Sequence, residues 1–441
     1  MKRIHSLLAV ALAAAATLAS VPAAAQDKQQ FFPMLTFRTG PYAPSGTPWA
    51  NGFLDYYKLV NLKGGINGVR VLWEECETGY ATDRGVECYE RLKDKNGGAT
   101  VFQTMSTGIT FALTERGAAD KVSILTPAYG LSESADGEAF KWSFPIGGTH
   151  WASADTQFQY LAQKAGGVDK LKGKKITLLY HDSPYGKESI AVYTQRAKMH
   201  GFELITLPVS HPGVDQKAAW LQIRQSRPDY VMLWGWGVMN STALKEAQST
   251  GYARSKMIGV WPSGSDSDVK GVSGAEGYSA VLILPGPGAN TKIAKEVLEK
   301  LHAKGNGSGP KEEVGEALYM RGLMNAMISV EGVRRAQEKY GAGKVMTPAQ
   351  ARWGYENLNI DHKRLEELGI ADIMRPISTT CKDHMGPSFA RAYTWDGTKW
   401  NTSSDWLEAD QKVLGPLLKV ASDKYLADKK LTRRTAEDCN S

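Results

Sequence analysis

Four short apolar runs decide the fold: Ile176-Thr177-Leu178-Leu179-Tyr180, Leu204-Ile205-Thr206-Leu207-Pro208-Val209, Tyr230-Val231-Met232-Leu233-Trp234 and Met257-Ile258-Gly259-Val260. Each has the length of a buried strand and is separated from the next by an amphipathic segment carrying helix punctuation. Gly201 and Gly251 stand where helices should stop, and Asp215 opens the segment that runs to Ser226. Strand followed by helix, repeatedly, predicts a parallel sheet with helical crossovers. The same rhythm holds upstream at 34–37, 69–73, 100–103 and 122–125, with Thr47 expected to cap a helix just before Pro48. The expected fold class is therefore α/β, with two Rossmann-like lobes around parallel central sheets.

Extended or glycine-rich stretches at 147–149, at 274–278 and at Arg375-Pro376-Ile377 read as crossings between lobes. They assign 1–25 to an export signal, 26–148 and 278–376 to the first lobe, and 149–277 to the second. The remainder, 377–441, completes the second lobe and supplies a C-terminal tail. Two lobes so joined leave a cleft between facing strand ends, where open α/β sheets bind ligands.

The N-terminus begins Met1-Lys2-Arg3, continues through an apolar stretch at 7–19, and reaches Val21-Pro22-Ala23-Ala24-Ala25. That order predicts cleavage before Gln26 and residence in the periplasm. The apolar stretch is shorter than the roughly 20 residues a membrane span needs, so no membrane insertion is expected. No Cys stands at the cleavage point, which predicts a freely diffusing protein rather than a lipid-anchored one.

The formal charge is +7, and removal of Lys2 and Arg3 lowers it by two. The remaining charges are scattered, which argues against a nucleic-acid partner. The four cysteines, Cys76, Cys88, Cys381 and Cys439, permit two disulfides in three pairings. Proximity favours Cys76 with Cys88, and Cys381 with Cys439 would then close the tail onto the body. No Cys-x-x-Cys pair occurs and no His lies at ligand spacing beside these thiols, so no metal or cofactor is expected. Gly-x-Ser-x-Gly and His-Glu-x-x-His are absent, and Gly173-Lys174-Lys175 lacks the upstream glycine of a phosphate loop. His150, His181 and His211 sit beside strand ends, where hydrogen-bonding roles are expected rather than catalysis.

A family becomes visible in Leu35-Thr36-Phe37-Arg38-Thr39-Gly40-Pro41-Tyr42-Ala43-Pro44-Ser45-Gly46, Asn51-Gly52-Phe53 and Gly64-Gly65-Ile66-Asn67-Gly68. With Tyr180-His181-Asp182-Ser183-Pro184-Tyr185-Gly186, Gly201-Phe202 and Arg227-Pro228-Asp229-Tyr230-Val231, this series resembles the substrate-binding proteins of branched-chain amino-acid-type ABC transporters. The resemblance spans about 34–394 and implies a type I periplasmic binding protein. It implies a monomeric, non-catalytic clamshell that captures a small molecule and hands it to an inner-membrane permease with its ATPase. A periplasmic module sensing the ligand for a signalling partner is the alternative.

The resemblance also implies a ligand carboxylate held by Ser106, Thr107 and Gly108, with Tyr42 nearby. The chain departs from the amino-acid binders at Thr126-Pro127-Ala128-Tyr129-Gly130, where Ala128 and Tyr129 bring a large ring into that stretch. Trp151, Tyr185, Trp234, Trp236 and Trp261 would supply an aromatic box if they face the cleft, and core or hinge packing if they do not. The candidate ligands are an aromatic or other apolar carboxylate, an amino acid, and a small amide or urea-like compound. Asp182, Asp266, Asp268 and Glu316 are the acids that could meet a ligand amine.

Overall fold

The computed structural model describes residues 28–440, and the expected export signal lies outside them. The first lobe opens with β1 (Gln29–Thr36), α1 (Ala43–Leu62), β2 (Arg70–Glu77), α2 (Thr82–Leu92), β3 (Phe102–Gln103), α3 (Thr107–Asp120), β4 (Ile124–Leu125) and β5 (Ser143–Phe144). These strands form one parallel sheet in the order β2-β1-β3-β4-β5. α1 begins at Ala43, earlier than the cap expected at Thr47. Pro44 sits in its first turn, where a missing N–H leaves no bond unmade, and Pro48 is carried inside the helix.

The second lobe is built from α4 (His150–Lys164), β6 (Lys175–His181), α5 (Pro184–His200), β7 (Glu203–Val209), α6 (Lys217–Ser226), β8 (Tyr230–Trp234), α7 (Val238–Ser249), β9 (Met257–Val260), α8 (Asp266–Val269) and β10 (Ser279–Ile283). The chain then returns to the first lobe through α9 (Lys292–Lys300), α10 (Ala317–Tyr340), α11 (Pro348–Glu356), β11 (Asn359–Ile360), α12 (His362–Leu368) and β12 (Ile377–Ser378). It finishes on the second with β13 (Phe389–Trp395), β14 (Trp400–Thr402), β15 (Leu407–Glu408) and α13 (Gln411–Lys429), followed by α14 (Ala436–Asn440). The second sheet runs β14-β13-β10-β9-β8-β6-β7 with β15 on β13. It is parallel from β7 to β10 and antiparallel beyond.

Two lobe boundaries differ from the expectation. The first lobe does not resume at 278, because Ser279–Ile283 is a fully buried run that extends the second sheet as β10. Gly274 and Gly277, at φ +69° and +86°, form the turn that enters this strand. The second lobe does not resume at 377, because β12 pairs antiparallel with β11 in the first. All three crossings meet at Gly147 and Gly148. The Gly147 N–H donates to the Met385 carbonyl at 2.7 Å. A Cβ on Gly148 would lie 2.5 Å from Ile283 and 2.8 Å from Ser388, so only glycine lets the three segments touch.

The first sheet is buried on both faces, by α1 and α10 on one side and by α2 and α3 on the other. Cys76 pairs with Cys88 across the junction of β2 and α2, with Cα atoms 5.8 Å apart. Cys381 pairs with Cys439 at 5.5 Å. This second bond ties the tail back to the first lobe, where the Arg434 N–H donates to the Glu138 carbonyl at 3.0 Å and its guanidinium pairs with Glu356.

Candidate ligand-binding cleft

Between the lobes lies a narrow cavity of about 20 Å³. The first lobe lines it with Trp49, Tyr80, Met105, Ser106, Thr107 and Tyr129, and the second with His150, Tyr185, Trp236, Trp261 and Pro262. Among the described residues no carboxylate lines it.

The first-lobe wall is built where β3 and β4 deliver the chain to the cleft. Ser106 caps α3, accepting the Ile109 N–H at 3.5 Å, so the first-turn N–H groups of that helix open beside the cavity. The Tyr129 hydroxyl accepts the Met105 N–H at 3.0 Å and contacts Thr104 Oγ1 at 3.3 Å. Burial pushes its pKa up to about 12. Trp49, from the inner face of α1, meets Tyr129, Trp236 and Trp261 edge-on at 6.0, 6.2 and 5.7 Å. Rings of both lobes therefore converge on one side chain.

The second-lobe wall begins at α4, whose Thr149 cap accepts the Ala152 N–H at 3.1 Å. His150 Nε2 reaches across to Thr107 Oγ1 at 3.0 Å. Burial, and then the Arg321 charge, push this imidazole down to about 3, so it is neutral at physiological pH. The His150 and Trp261 rings are parallel to within 12° with centroids 6.5 Å apart. His150 Nδ1, Trp236 Nε1 and Trp261 Nε1 are buried without a hydrogen-bond partner.

Of the residues singled out in the sequence, Ser106, Thr107, Tyr129, Tyr185, Trp236 and Trp261 come together at the cavity. The others do not line it. Tyr42 instead bridges the lobes through its hydroxyl to His181 Nε2 at 2.8 Å. Gly108 faces Thr82, and Ala128 offers its carbonyl to Arg321. Trp151 is 9% exposed within a core cluster that spans both lobes, and it donates its backbone N–H to Ser132 Oγ of the first lobe at 3.3 Å. Trp234 is fully buried, with its indole N–H on Gln157 Oε1 at 2.7 Å. The four candidate amine partners are engaged elsewhere: Asp182 with Lys187, Asp266 and Glu316 with Lys270, and Asp268 with Asn240. Trp49, Tyr80, Met105, His150 and Pro262 are cavity residues that the sequence did not single out for this site.

The family described as periplasmic binding protein matches residues 29–399. This chain belongs to that family. The periplasmic binding protein fold recurs in a crystal structure described as an ABC transporter permease from the Pseudomonas fluorescens group. That chain is 39% identical, with a TM-score of 0.86, over 93% of this chain and all (100%) of that one. A branched-chain amino acid ABC transporter protein from Thermus thermophilus, with bound valine, aligns at 19% identity and TM-score 0.71 over 88% and 99% of the two chains. A solute-binding protein from R. palustris in complex with benzoate aligns at 14% and 0.69 over 87% and 98%. Comparison with curated proteins finds no match.

In this periplasmic binding protein the two walls are also joined outside the cavity. Glu188 of α5 accepts the Ser132 hydroxyl of the first lobe at 2.6 Å. Burial, and then Glu133, push the Glu188 carboxyl up to about 8. Among the described residues no cluster of His, Cys, Asp and Glu could hold a metal ion, and no helix is long and apolar enough to cross a membrane.

Proposed function

We infer that this protein, after losing an export signal, captures a ring-bearing or other apolar carboxylate in the periplasm and delivers it as a monomer to an ABC permease with its ATPase. The observation that carries this reading is the composition of the cavity: stacked rings, two unpartnered indole N–H groups, a helix N-terminus and no carboxylate. Unpartnered buried donors are costly, and acceptor oxygens on a ligand would satisfy them. Backbone N–H groups at the start of α3 favour the same negative charge. The absence of an acid at the wall disfavours an α-amino group, which would be buried without a counterion. Parallel rings at His150 and Trp261, with Tyr185 and Trp236, suit a flat apolar body. The R. palustris neighbour of the same fold holds benzoate, which is in keeping with this reading.

A thermal-shift screen tests the reading, because a ligand that binds only the folded state raises the melting temperature with its concentration. Benzoate, phenylacetate and branched apolar acids are expected to stabilise the protein, and glycine, sugars and phosphate to leave it unchanged. Stabilisation by polar amino acids alone would overturn the ligand class.

A further inference from the structure

Arg321 projects from the second turn of α10 and is 2% exposed. Its terminal nitrogens donate to four backbone carbonyls, those of Ile283 and Leu284 at 2.6 Å, Pro127 at 2.8 Å and Ala128 at 3.1 Å. Its Nε has no partner. None of the ion pairs among the described residues involves Arg321, so a full positive charge is buried on peptide dipoles alone. A buried cation without a counterion is a costly arrangement that a fold keeps only when something compensates it. The guanidinium carbon lies 3.7 Å from the centroid of the Trp261 ring. Trp261 lines the cavity and Arg321 does not, so the indole is a thin apolar partition between the charge and the ligand space. The neighbouring imidazole feels the same charge, since Arg321 is one of the two causes that lower His150.

We propose that Arg321 is the countercharge for the bound ligand, acting through the Trp261 ring to select an anion over a neutral or cationic molecule of the same shape. This deepens the reading of the cleft as a carboxylate site and rests on it. Arg321 is a positioning residue, because it does not touch the ligand. A carboxylate on the cavity side of the Trp261 ring, one stacking distance of about 3.5 Å beyond it, would lie roughly 7 Å from the guanidinium. At an effective dielectric of about 20, that attraction corresponds to about a fiftyfold gain in affinity. Salt would screen it little, because the path between the charges excludes water.

The test compares benzoate with benzamide, which have the same ring and nearly the same size and differ in charge, by calorimetric titration. The wild-type protein is expected to favour benzoate by about 10- to 100-fold. Arg321→Gln should reduce that ratio to within a few-fold of one, mainly by weakening benzoate, and Arg321→Lys should restore much of it. Loss of packing alone would weaken both probes together and leave the ratio unchanged. If Arg321→Gln does not fold, Arg321→Met, which keeps the apolar stem and removes the charge, carries the same comparison and the same expected loss of the ratio. Equal wild-type affinity for the two probes, or an unchanged ratio in a folded Arg321→Gln protein, overturns the proposal while leaving a ring-binding cleft standing. Failure of both probes to bind, with polar amino acids binding instead, overturns the ligand reading and this proposal with it.

Discussion

The two walls of the cleft use similar residue types but differ in how their polar atoms are satisfied. On the first-lobe wall, the Ser106 and Tyr129 hydroxyls have partners within that lobe, while Thr107 is held by His150 across the cleft. On the second, Trp236 Nε1, Trp261 Nε1 and His150 Nδ1 have none. The first wall is therefore pre-organised, offering a helix start held by its own cap. The second leaves three buried nitrogens unpartnered, which the proposed ligand would satisfy. A binding protein that must release its cargo gains from this division: one wall holds its shape when the lobes part, while the other reaches full satisfaction only when they close around a ligand.

The sharpest way to break the comparison is to set Trp234 against Trp236, two residues apart on the second lobe. Trp234→Ala removes a fully buried ring with a buried hydrogen bond, and chemical denaturation should show a loss of about 3–5 kcal/mol. Trp236→Ala should leave the protein folded and weaken benzoate by about 10- to 100-fold, as expected for roughly 1.4–3 kcal/mol of lost contact. If Trp234→Ala instead spared stability and abolished binding, the wall would have been assigned to the wrong ring. On the other wall, Ser106→Ala should cost about 1 kcal/mol of stability through the lost cap and weaken binding only a few-fold. A loss of binding as large as that of Trp236→Ala would show that the first wall carries the affinity.

A pH-dependent effect is expected at the rim. Glu188 has a folded-state pKa of about 8, above its ordinary value of 4.5, so the folded protein holds a proton there that the unfolded chain releases. Its contribution to stability is complete below about pH 4.5 and is lost as pH rises through 8. Glu188→Gln should flatten that part of the stability–pH curve, by up to about 1.4 kcal/mol per pH unit between pH 4.5 and 8. His181, pushed down to about 4 by burial and His211, acts in the opposite sense. Its contribution is lost as pH falls from about 6.5 towards 4. A Glu188→Gln curve that overlays the wild type would remove the Ser132–Glu188 contact from the account of closure.

The fold was legible because strand and helix rhythm survives in local apolar runs, as at 176–180 and 230–234. The crossings were less so. Glycines mark turns as readily as hinges, and those at 274–277 turn the chain into β10 rather than out of the lobe. At the site, Tyr129, Tyr185, Trp236 and Trp261 were accessible from residue type at strand ends. Trp49 was not, because an aromatic residue inside an amphipathic helix reads as core. Arg321 was not, because nothing in a 24-residue helix announces which arginine is buried. Trp234 shows the converse limit: an indole at a strand end can pack into the sheet, with its N–H on Gln157, as readily as it can face the cleft.

The central claim, that the cleft closes on a ring-bearing acid rather than an α-amino acid, is tested most directly by titrating the wild-type protein with benzoate and with leucine while following tryptophan fluorescence. Trp49, Trp236 and Trp261 all line the cavity, so occupancy should change the emission. A saturable change with benzoate, and none with leucine at the same concentrations, is the predicted result. Saturation by leucine with no response to benzoate would contradict it.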